Sequence, residues 1–235
     1  ITAKRLLDLS IGILLLFLKR WLKMFDIINF RSEPKNNPFA PEWNNYMVET
    51  IVKDIDILKL SSFLRKKEKD ILKLKSTNHG YTGLKNHTTS RHKNYNIFNF
   101  KNKELTKLKK EIIKLHNSFL KKLNINPIES LHIKGWYNVM KKNEYIKPHA
   151  HSWHPDTYLG GHFCVSCKNT STHYINPINQ LNDPEIYKSL NKPAKLTLFQ
   201  NFIPHYTDKH QGRDKRITIA FDLSLVKHPE YIQII

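Results

Sequence analysis

The sequence predicts an α+β fold in which strands joined by long loops form a sandwich or jelly roll. Apolar residues recur at helical spacing in the first half of the chain and alternate with polar residues in the second half. The length of 235 residues is enough to bury a core without disulfides or structural metal. We expect one domain over residues 24–235, mainly helical over 24–128 and a β-barrel over 129–235.

Residues 1–23 form a basic apolar segment that we leave out of the predicted fold. Its uncharged stretch, Leu9–Leu18, lies between Lys4-Arg5 and Lys19-Arg20. Ten helical residues extend about 15 Å, half of the roughly 30 Å hydrocarbon core of a bilayer, so the stretch is too short to span a membrane. No small-residue cleavage site follows, which argues against a signal peptide. A basic helix lying on a membrane surface and an extension outside the fold stay open as alternatives.

Composition favours an intracellular globular protein. Two cysteines do not make a secreted disulfide scaffold, so we expect a cytoplasmic location. The formal charge of +19 favours anionic partners. However, only seven of the 39 basic residues are Arg, the residue that base recognition prefers, and we therefore expect no dedicated nucleic-acid site.

The helical half begins with residues 24–41, where three prolines predict irregular structure. The apolar spacing of Tyr46–Val52 predicts a helix, and that of Ile57–Leu64 predicts a second one, before the charged run Arg65–Lys69. The polar segment Ser76–Asn96 predicts a loop. Glu104–Leu123 predicts the clearest helix, because its apolar residues recur every three or four positions with lysines on the opposite face.

Strand-like alternation begins at Leu131–Met140 and returns at Leu159–Ser166, Ala194–Phe199 and Arg216–Leu225. The last run is the most regular. Its apolar face is formed by Ile217, Ile219, Phe221, Leu223 and Leu225, and its other face by Arg216, Thr218, Ala220, Asp222 and Ser224.

Histidines indicate where chemistry occurs. His149 and His151 follow a strand-like run, so their imidazoles project to one side if the chain stays extended, as a chelating pair requires. His205, delivered by a separate segment, is the natural third ligand. Imidazole suits iron, copper, nickel and zinc, so ligand type does not select the metal.

Five segments in order resemble the iron(II)/2-oxoglutarate-dependent oxygenases of phages and marine bacteria, and the resemblance covers Trp136 to Leu225. The segments are Trp136-Tyr137-Asn138-Val139, Tyr145-Ile146-Lys147-Pro148-His149-Ala150-His151, Leu159-Gly160-Gly161, Leu198-Phe199-Gln200-Asn201-Phe202-Ile203-Pro204-His205 and Arg216-Ile217-Thr218-Ile219-Ala220-Phe221. Weaker agreement occurs upstream, at Gly80–Leu84 and Tyr95–Phe98.

The resemblance implies a double-stranded β-helix, which is a cupin-like jelly roll, with the N-terminal helices packed on the barrel. It implies Fe(II) held by His149 and His205, and 2-oxoglutarate bound through its distal carboxylate by Arg216 and Thr218. Asn138 would hydrogen-bond this co-substrate. The residues themselves agree, because a guanidinium inside a barrel is costly unless an anion meets it.

The middle ligand departs from the commonest family pattern, which has a carboxylate two residues after the first histidine. Here that position is His151, and we favour a site of three histidines. Two alternatives stay open: His154-Pro155-Asp156 supplies the histidine-x-carboxylate motif, or Asp156 joins His149, His151 and His205 in a four-ligand site. We favour the three histidines because Pro155 makes the segment His154–Asp156 more turn-like than strand-like.

Other residues receive structural interpretations. We expect His162, His173, His210 and His228 to be surface or hydrogen-bonded residues. Cys164 and Cys167 would face opposite sides of a continuing strand, which argues against a shared zinc ion. Aromatic residues would line the cavity entrance, namely Trp136, Trp153 and Tyr158.

The family therefore implies a dioxygenase that takes dioxygen and 2-oxoglutarate, hydroxylates an unidentified substrate and releases succinate and CO2, in the cytoplasm of a bacterial or phage-infected cell. Two other classes stay open. One is a cupin-like metal-binding protein or enzyme that does not use 2-oxoglutarate. The other is a basic, non-catalytic binder of nucleic acid or of a membrane surface.

Overall fold

A computed structural model describes residues 25–31, 44–77, 82–84, 86–151, 156–177 and 186–235. The basic apolar segment 1–23 lies outside the described residues. So do Trp153, His154 and Gly80-Tyr81, which entered the sequence predictions. Within the described ranges, no helix combines the length and apolar character that crossing a bilayer requires.

The described residues are mostly β-structure with few helices. The strands are β1 (Asp26–Arg31), β2 (Asn44–Ile51), β3 (His132–Met140), β4 (Thr157–Ser166), β5 (Ser171–Ile175), β6 (Ile186–Leu190), β7 (Lys195–Gln200), β8 (His205–Thr207), β9 (Arg216–Ser224) and β10 (Ile232–Gln233). They form two antiparallel sheets, a larger one in the order β1-β2-β7-β4-β9-β3-β10 and a smaller one in the order β6-β5-β8. The chain thus passes from one sheet to the other and back, as in a jelly roll.

Two α-helices, α1 (Ile57–Leu72) and α2 (Lys103–Lys122), lie against one face of the larger sheet. Their N-termini are capped by side chains that accept backbone N–H groups: Asp56 accepts from Lys59 at 3.0 Å, and Asn102 from Glu104 at 2.9 Å. Apolar residues of the helices and sheet form one buried cluster, which includes Leu60, Leu64, Leu105, Ile112, Ile133, Phe163, Ile219 and Phe221. One face of the larger sheet packs in this core, and its other face points toward the smaller sheet.

The predicted helices at 57–64 and 104–123 are confirmed, and α1 continues through the charged run Arg65–Lys69 to Leu72. The predicted helix at Tyr46–Val52 is wrong, because this segment is β2. Its Val48 packs with the helix-side core and its neighbour Met47 with the cluster between the sheets. Burial on both faces hides the alternation that identifies a strand.

The four strand predictions in the second half are confirmed by β3, β4, β7 and β9. The prediction of irregular structure over 24–41 is wrong at β1, and the predicted loop at Ser76–Asn96 contains a 3₁₀ helix, Thr88–Asn94. The short strands of the smaller sheet were not predicted, because three to five residues give too little alternation to recognise.

Strand β9 separates core from cavity. It pairs with β3 on one side and β4 on the other. Its Ile217, Ile219 and Phe221 belong to the helix-side core. Arg216, Thr218, Ala220 and Asp222 line a cavity between the two sheets. The alternating pattern of this strand therefore determines which side chains reach the cavity.

We expect Gly161→Ala to destabilise the protein by about 1–3 kcal/mol, because β4 approaches its neighbours too closely for a side chain there. A Cβ at this position would lie 2.3 Å from Phe221 Cζ and 2.8 Å from the backbone oxygen of Thr197, which cannot move away cheaply. Urea unfolding measures the loss. Leu58→Ala is the control, because Leu58 is 82% exposed and should change the free energy of unfolding by less than about 0.5 kcal/mol. Equal stability of the two variants would contradict this packing.

Candidate metal centre

Three imidazoles converge at one end of the cavity. The ring centroids of His149 and His205 are 4.3 Å apart, those of His151 and His205 are 5.0 Å apart, and those of His149 and His151 are 5.4 Å apart. One potential ligand atom from each lies within 4.8 Å of the others. One cation that binds imidazole nitrogens at roughly 2.0–2.1 Å draws its ligand atoms from within such a short separation.

The backbone fixes this convergence. His149 and His205 form a β-bridge, in which each backbone N–H donates to the other's carbonyl oxygen, at 3.0 and 2.9 Å. The His151 N–H donates to the carbonyl oxygen of Asn201 at 2.8 Å. The segment before β4 is thereby held beside the start of β8. Two segments that are distant in sequence thus deliver ligands to one point.

Each imidazole has its Nδ1 atom next to an acceptor. His149 Nδ1 lies 2.8 Å from the Lys147 carbonyl oxygen, and His205 Nδ1 lies 3.1 Å from that of Ile203. His151 Nδ1 lies 2.6 Å from Asp222 Oδ1. In a neutral ring, an Nδ1–H that donates in this way leaves Nε2 as the free ligand atom. In that tautomer, Nε2 is the nitrogen that each of the three rings has available for a cation.

Burial favours the neutral form of two of these imidazoles, those of His149 and His205. Desolvation, together with the neighbouring His151 ring, lowers the pKa of His149 to about 4. Burial and then the two adjacent imidazoles lower the pKa of His205 well below its usual value. Neutral imidazoles can bind a metal without first losing protons at physiological pH.

The cavity has a volume of about 260 Å³ and extends from the three histidines to Arg216. Its walls come from both sheets: Asn138, Thr218 and Asp222 from the larger, and Thr172 and Thr207 from the smaller. Trp136 also lines it, with a ring centroid 5.6 Å from that of His151. Trp136, which was predicted to line the cavity entrance, is therefore a residue of the cavity wall.

Arg216 is buried, with 2% of its surface exposed, and lies at the other end of the cavity. Its Nη1 donates to Met140 Sδ at 3.0 Å, and its Nη2 is 3.3 Å from the Asn191 amide oxygen in the orientation that satisfies that amide. Its Nε has no hydrogen-bond partner among the described residues, and no described carboxylate forms an ion pair with it. A buried guanidinium with spare donors fits a bound carboxylate.

Thr218 and Asn138 stand opposite each other on β9 and β3, and both line the cavity next to Arg216. Asp156 lies elsewhere: its Oδ2 is 3.6 Å from His228 Nε2, and it is absent from the cluster of converging ligand atoms. His173 pairs with Asp208 at 2.7 Å. The described structure therefore places three histidines together without a carboxylate among them.

Two residues of the cavity wall escaped functional prediction. His162 was expected to be a surface or hydrogen-bonded residue. It is buried and lies 3.2 Å from the Tyr174 hydroxyl through Nδ1, but it also lines the cavity, where burial lowers its pKa well below the usual value. Asp222 was recognised only as part of a polar strand face. The sequence did contain a clue, because Asp222 falls at alternate positions of β9 with Arg216 and Thr218 and so lies on the same strand face.

Two further sequence predictions are corrected. Tyr158 does not line the described cavity; its hydroxyl hydrogen-bonds His116 of α2 on the core side of the larger sheet. Cys164 and Cys167 do not face opposite sides, because the β4–β9 register shifts between Cys164 and Ser166 and the two thiols then contact each other. The bulge changes the phase of the strand. Both thiols are buried and free.

No family model matches this chain, and no curated protein matches it. Solved structures that are similar to this chain include a Pseudomonas putida prolyl-4-hydroxylase (8% identity, 72% of this chain, 85% of that chain, TM-score 0.48). The non-heme alpha ketoglutarate dependent epimerase SnoN from nogalamycin biosynthesis is similar at 9% identity (75% and 76% covered, TM-score 0.49). An oxidoreductase of the 2OG-Fe(II) oxygenase family from Burkholderia pseudomallei shares 13% identity (48% of this chain, 53% of that chain, TM-score 0.39), so this chain spans about half of it. These likenesses are too weak to assign an activity.

Proposed function

We propose that this protein is a non-haem iron(II)- and 2-oxoglutarate-dependent dioxygenase that hydroxylates an unidentified substrate. One observation carries the proposal: a cluster of three imidazoles shares a cavity with a buried guanidinium that has no carboxylate partner among the described residues. The resemblance to the phage and marine-bacterial oxygenases supports it. A cytoplasmic location is part of the same proposal and follows from composition alone.

The residues present fit both groups. Three imidazole nitrogens on one side suit Fe(II), and the open cavity beside them leaves room for further ligands. The free donors of Arg216 suit a carboxylate. The bound iron(II) would supply oxidative decarboxylation of the keto-acid by dioxygen to succinate and CO2, with one oxygen atom entering succinate and the other entering the substrate as a hydroxyl group.

The chain's own residues contribute positioning. His149, His151 and His205 hold the metal at one end of the cavity. Arg216 and Thr218 bind and orient the distal carboxylate at the other end, and Asn138 donates a further hydrogen bond from β3. The cavity walls exclude bulk water, which strengthens each charged contact. Because the histidines and the guanidinium are already in place, less conformational entropy is lost when the co-substrate binds.

The alternative functions leave these features unused. A metal protein without a keto-acid leaves the unpartnered Nε of the buried Arg216 without an anion to bind. A non-catalytic binder of nucleic acid or membrane gives no role to the convergence of three imidazoles. Arg216 is costly in its buried position unless an anion compensates it.

We expect an anaerobic titration with iron(II) to give a weak visible charge-transfer band when 2-oxoglutarate is added, because the keto-acid chelates iron held by the three histidines. Succinate, which lacks the keto group, is the matched control and should give no band. Binding of iron without any band or affinity for 2-oxoglutarate would overturn the dioxygenase proposal. It would favour the metal protein that does not use a keto-acid.

A further inference from the structure

Asp222 stands directly behind the proposed ligand His151. Its Oδ1 atom lies 2.6 Å from His151 Nδ1, and only 9% of the residue is exposed. It lies on β9 in register with Lys134 of β3 and Gly160 of β4. A carboxylate is thus buried at the metal end of the cavity without belonging to the converging ligand atoms.

Gly160 makes this contact sterically feasible. A Cβ on Gly160 would lie 3.0 Å from His151 Nδ1 and 2.8 Å from Phe199 Cε2. The His151 ring therefore occupies the space that a side chain on β4 would take. Lys134, the other neighbour in register, forms an ion pair with Glu230 at 3.3 Å, and its charge also interacts with that of Asp222. The hydrogen-bond partner of the Asp222 carboxylate is therefore the His151 imidazole.

The three histidines differ in what fixes them. His149 and His205 contact backbone carbonyl oxygens through Nδ1, whereas His151 contacts an ionisable side chain. A carboxylate that accepts the Nδ1–H fixes the tautomer, orients the ring and raises the basicity of Nε2. It also places a negative charge near a cation in a site of low dielectric constant, where charges interact strongly.

We infer that Asp222 is a positioning residue that holds His151 with Nε2 toward the metal and places a carboxylate charge next to a site whose converging ligand atoms include no carboxylate. The affinity of the site for a divalent cation thus depends on a carboxylate that hydrogen-bonds a metal ligand without touching the metal. This inference rests on the metal site of the proposed function, and not on 2-oxoglutarate.

Cobalt(II) titration of the purified chain, followed by visible absorption, tests this inference. Asp222→Leu removes both the hydrogen bond and the charge and should weaken cobalt binding about 10–100-fold. Asp222→Asn retains an acceptor oxygen for the Nδ1–H but loses the charge, so its loss should be smaller. The control is Asp208→Asn, because Asp208 makes a similar 2.7 Å contact with His173 away from the cavity and should leave cobalt binding unchanged.

A second readout requires no variant. Nitrogen-15 NMR of the metal-free wild-type protein reports which ring nitrogen of His151 carries the proton, and the inference requires Nδ1–H. Observation of the Nε2–H tautomer, or cobalt affinity of folded Asp222→Leu equal to wild type, would overturn it. If cobalt binding depends on Asp222 but 2-oxoglutarate never binds, the inference stands and the dioxygenase proposal fails. If 2-oxoglutarate binds but cobalt affinity does not depend on Asp222, the positioning role of Asp222 is rejected and the dioxygenase proposal stands.

Discussion

His205→Ala should abolish binding of a divalent metal, with affinity falling by more than about 100-fold, because the loss of a direct ligand exceeds the 10–100-fold typical of an outer contact. Two imidazoles from one short segment would remain, without the ligand that β8 contributes. Isothermal titration with cobalt(II) or iron(II) under anaerobic conditions measures the loss. We expect 2-oxoglutarate to lose its metal-dependent binding at the same time.

His173→Ala is the matched control for His205→Ala. His173 is also a histidine of the smaller sheet, but it stacks on Tyr206, with ring centroids 4.6 Å apart, and does not line the cavity. It should leave metal affinity unchanged. Circular dichroism of both variants tests folding, because His205 packs against Phe199 and its removal leaves a void. Metal affinity within threefold of wild type in folded His205→Ala would reject the proposed centre.

Arg216→Met should eliminate 2-oxoglutarate binding while leaving metal affinity intact. Methionine fills much of the volume but offers no donors for a carboxylate, so we expect affinity for the co-substrate to fall by more than about 100-fold, the scale of losing a charged, hydrogen-bonded pair in a buried site. Equilibrium binding of 2-oxoglutarate to cobalt-loaded protein measures this. The variant should be at least as stable as wild type without ligand, because a buried guanidinium without an anion is costly.

The matched control for Arg216→Met is Arg213→Met, three residues earlier on the exposed connection before β9. It removes the same charge from the chain, so general electrostatic attraction of the dianion falls equally in both variants. Its effect on 2-oxoglutarate affinity should be small. Equal losses in the two variants would mean that Arg216 contributes only overall charge, and not a binding site.

Predictions from local pattern succeeded where one face of a strand is polar and the other apolar. The alternation in β9 identified Arg216 and Thr218 as residues of one face, and the structure places both at the cavity. The spacing of His149 and His151 indicated a chelating pair, and these rings lie beside His205. Whether these residues bind iron and 2-oxoglutarate stays a prediction.

Pattern failed where tertiary contacts decide the outcome. The two faces of β2 both contact apolar clusters, so period-two alternation is absent and the segment resembles a helix. The β4 bulge reverses the expected direction of Cys167. The contact of Asp222 with His151 joins residues 71 positions apart, and no local signal in one sequence indicates such a pair.

Strand β9 carries cavity-lining residues such as Arg216 and Thr218 on one side and the helix-packed core on the other, and it pairs with a strand along each edge. An insertion or deletion of one residue within it would exchange the two sides, burying Arg216 among hydrocarbon and turning Phe221 toward the ligands. Folding and chemistry would then be lost in the same event. Evolution of new specificities should therefore lengthen or shorten the surrounding loops and tolerate only replacements inside this strand.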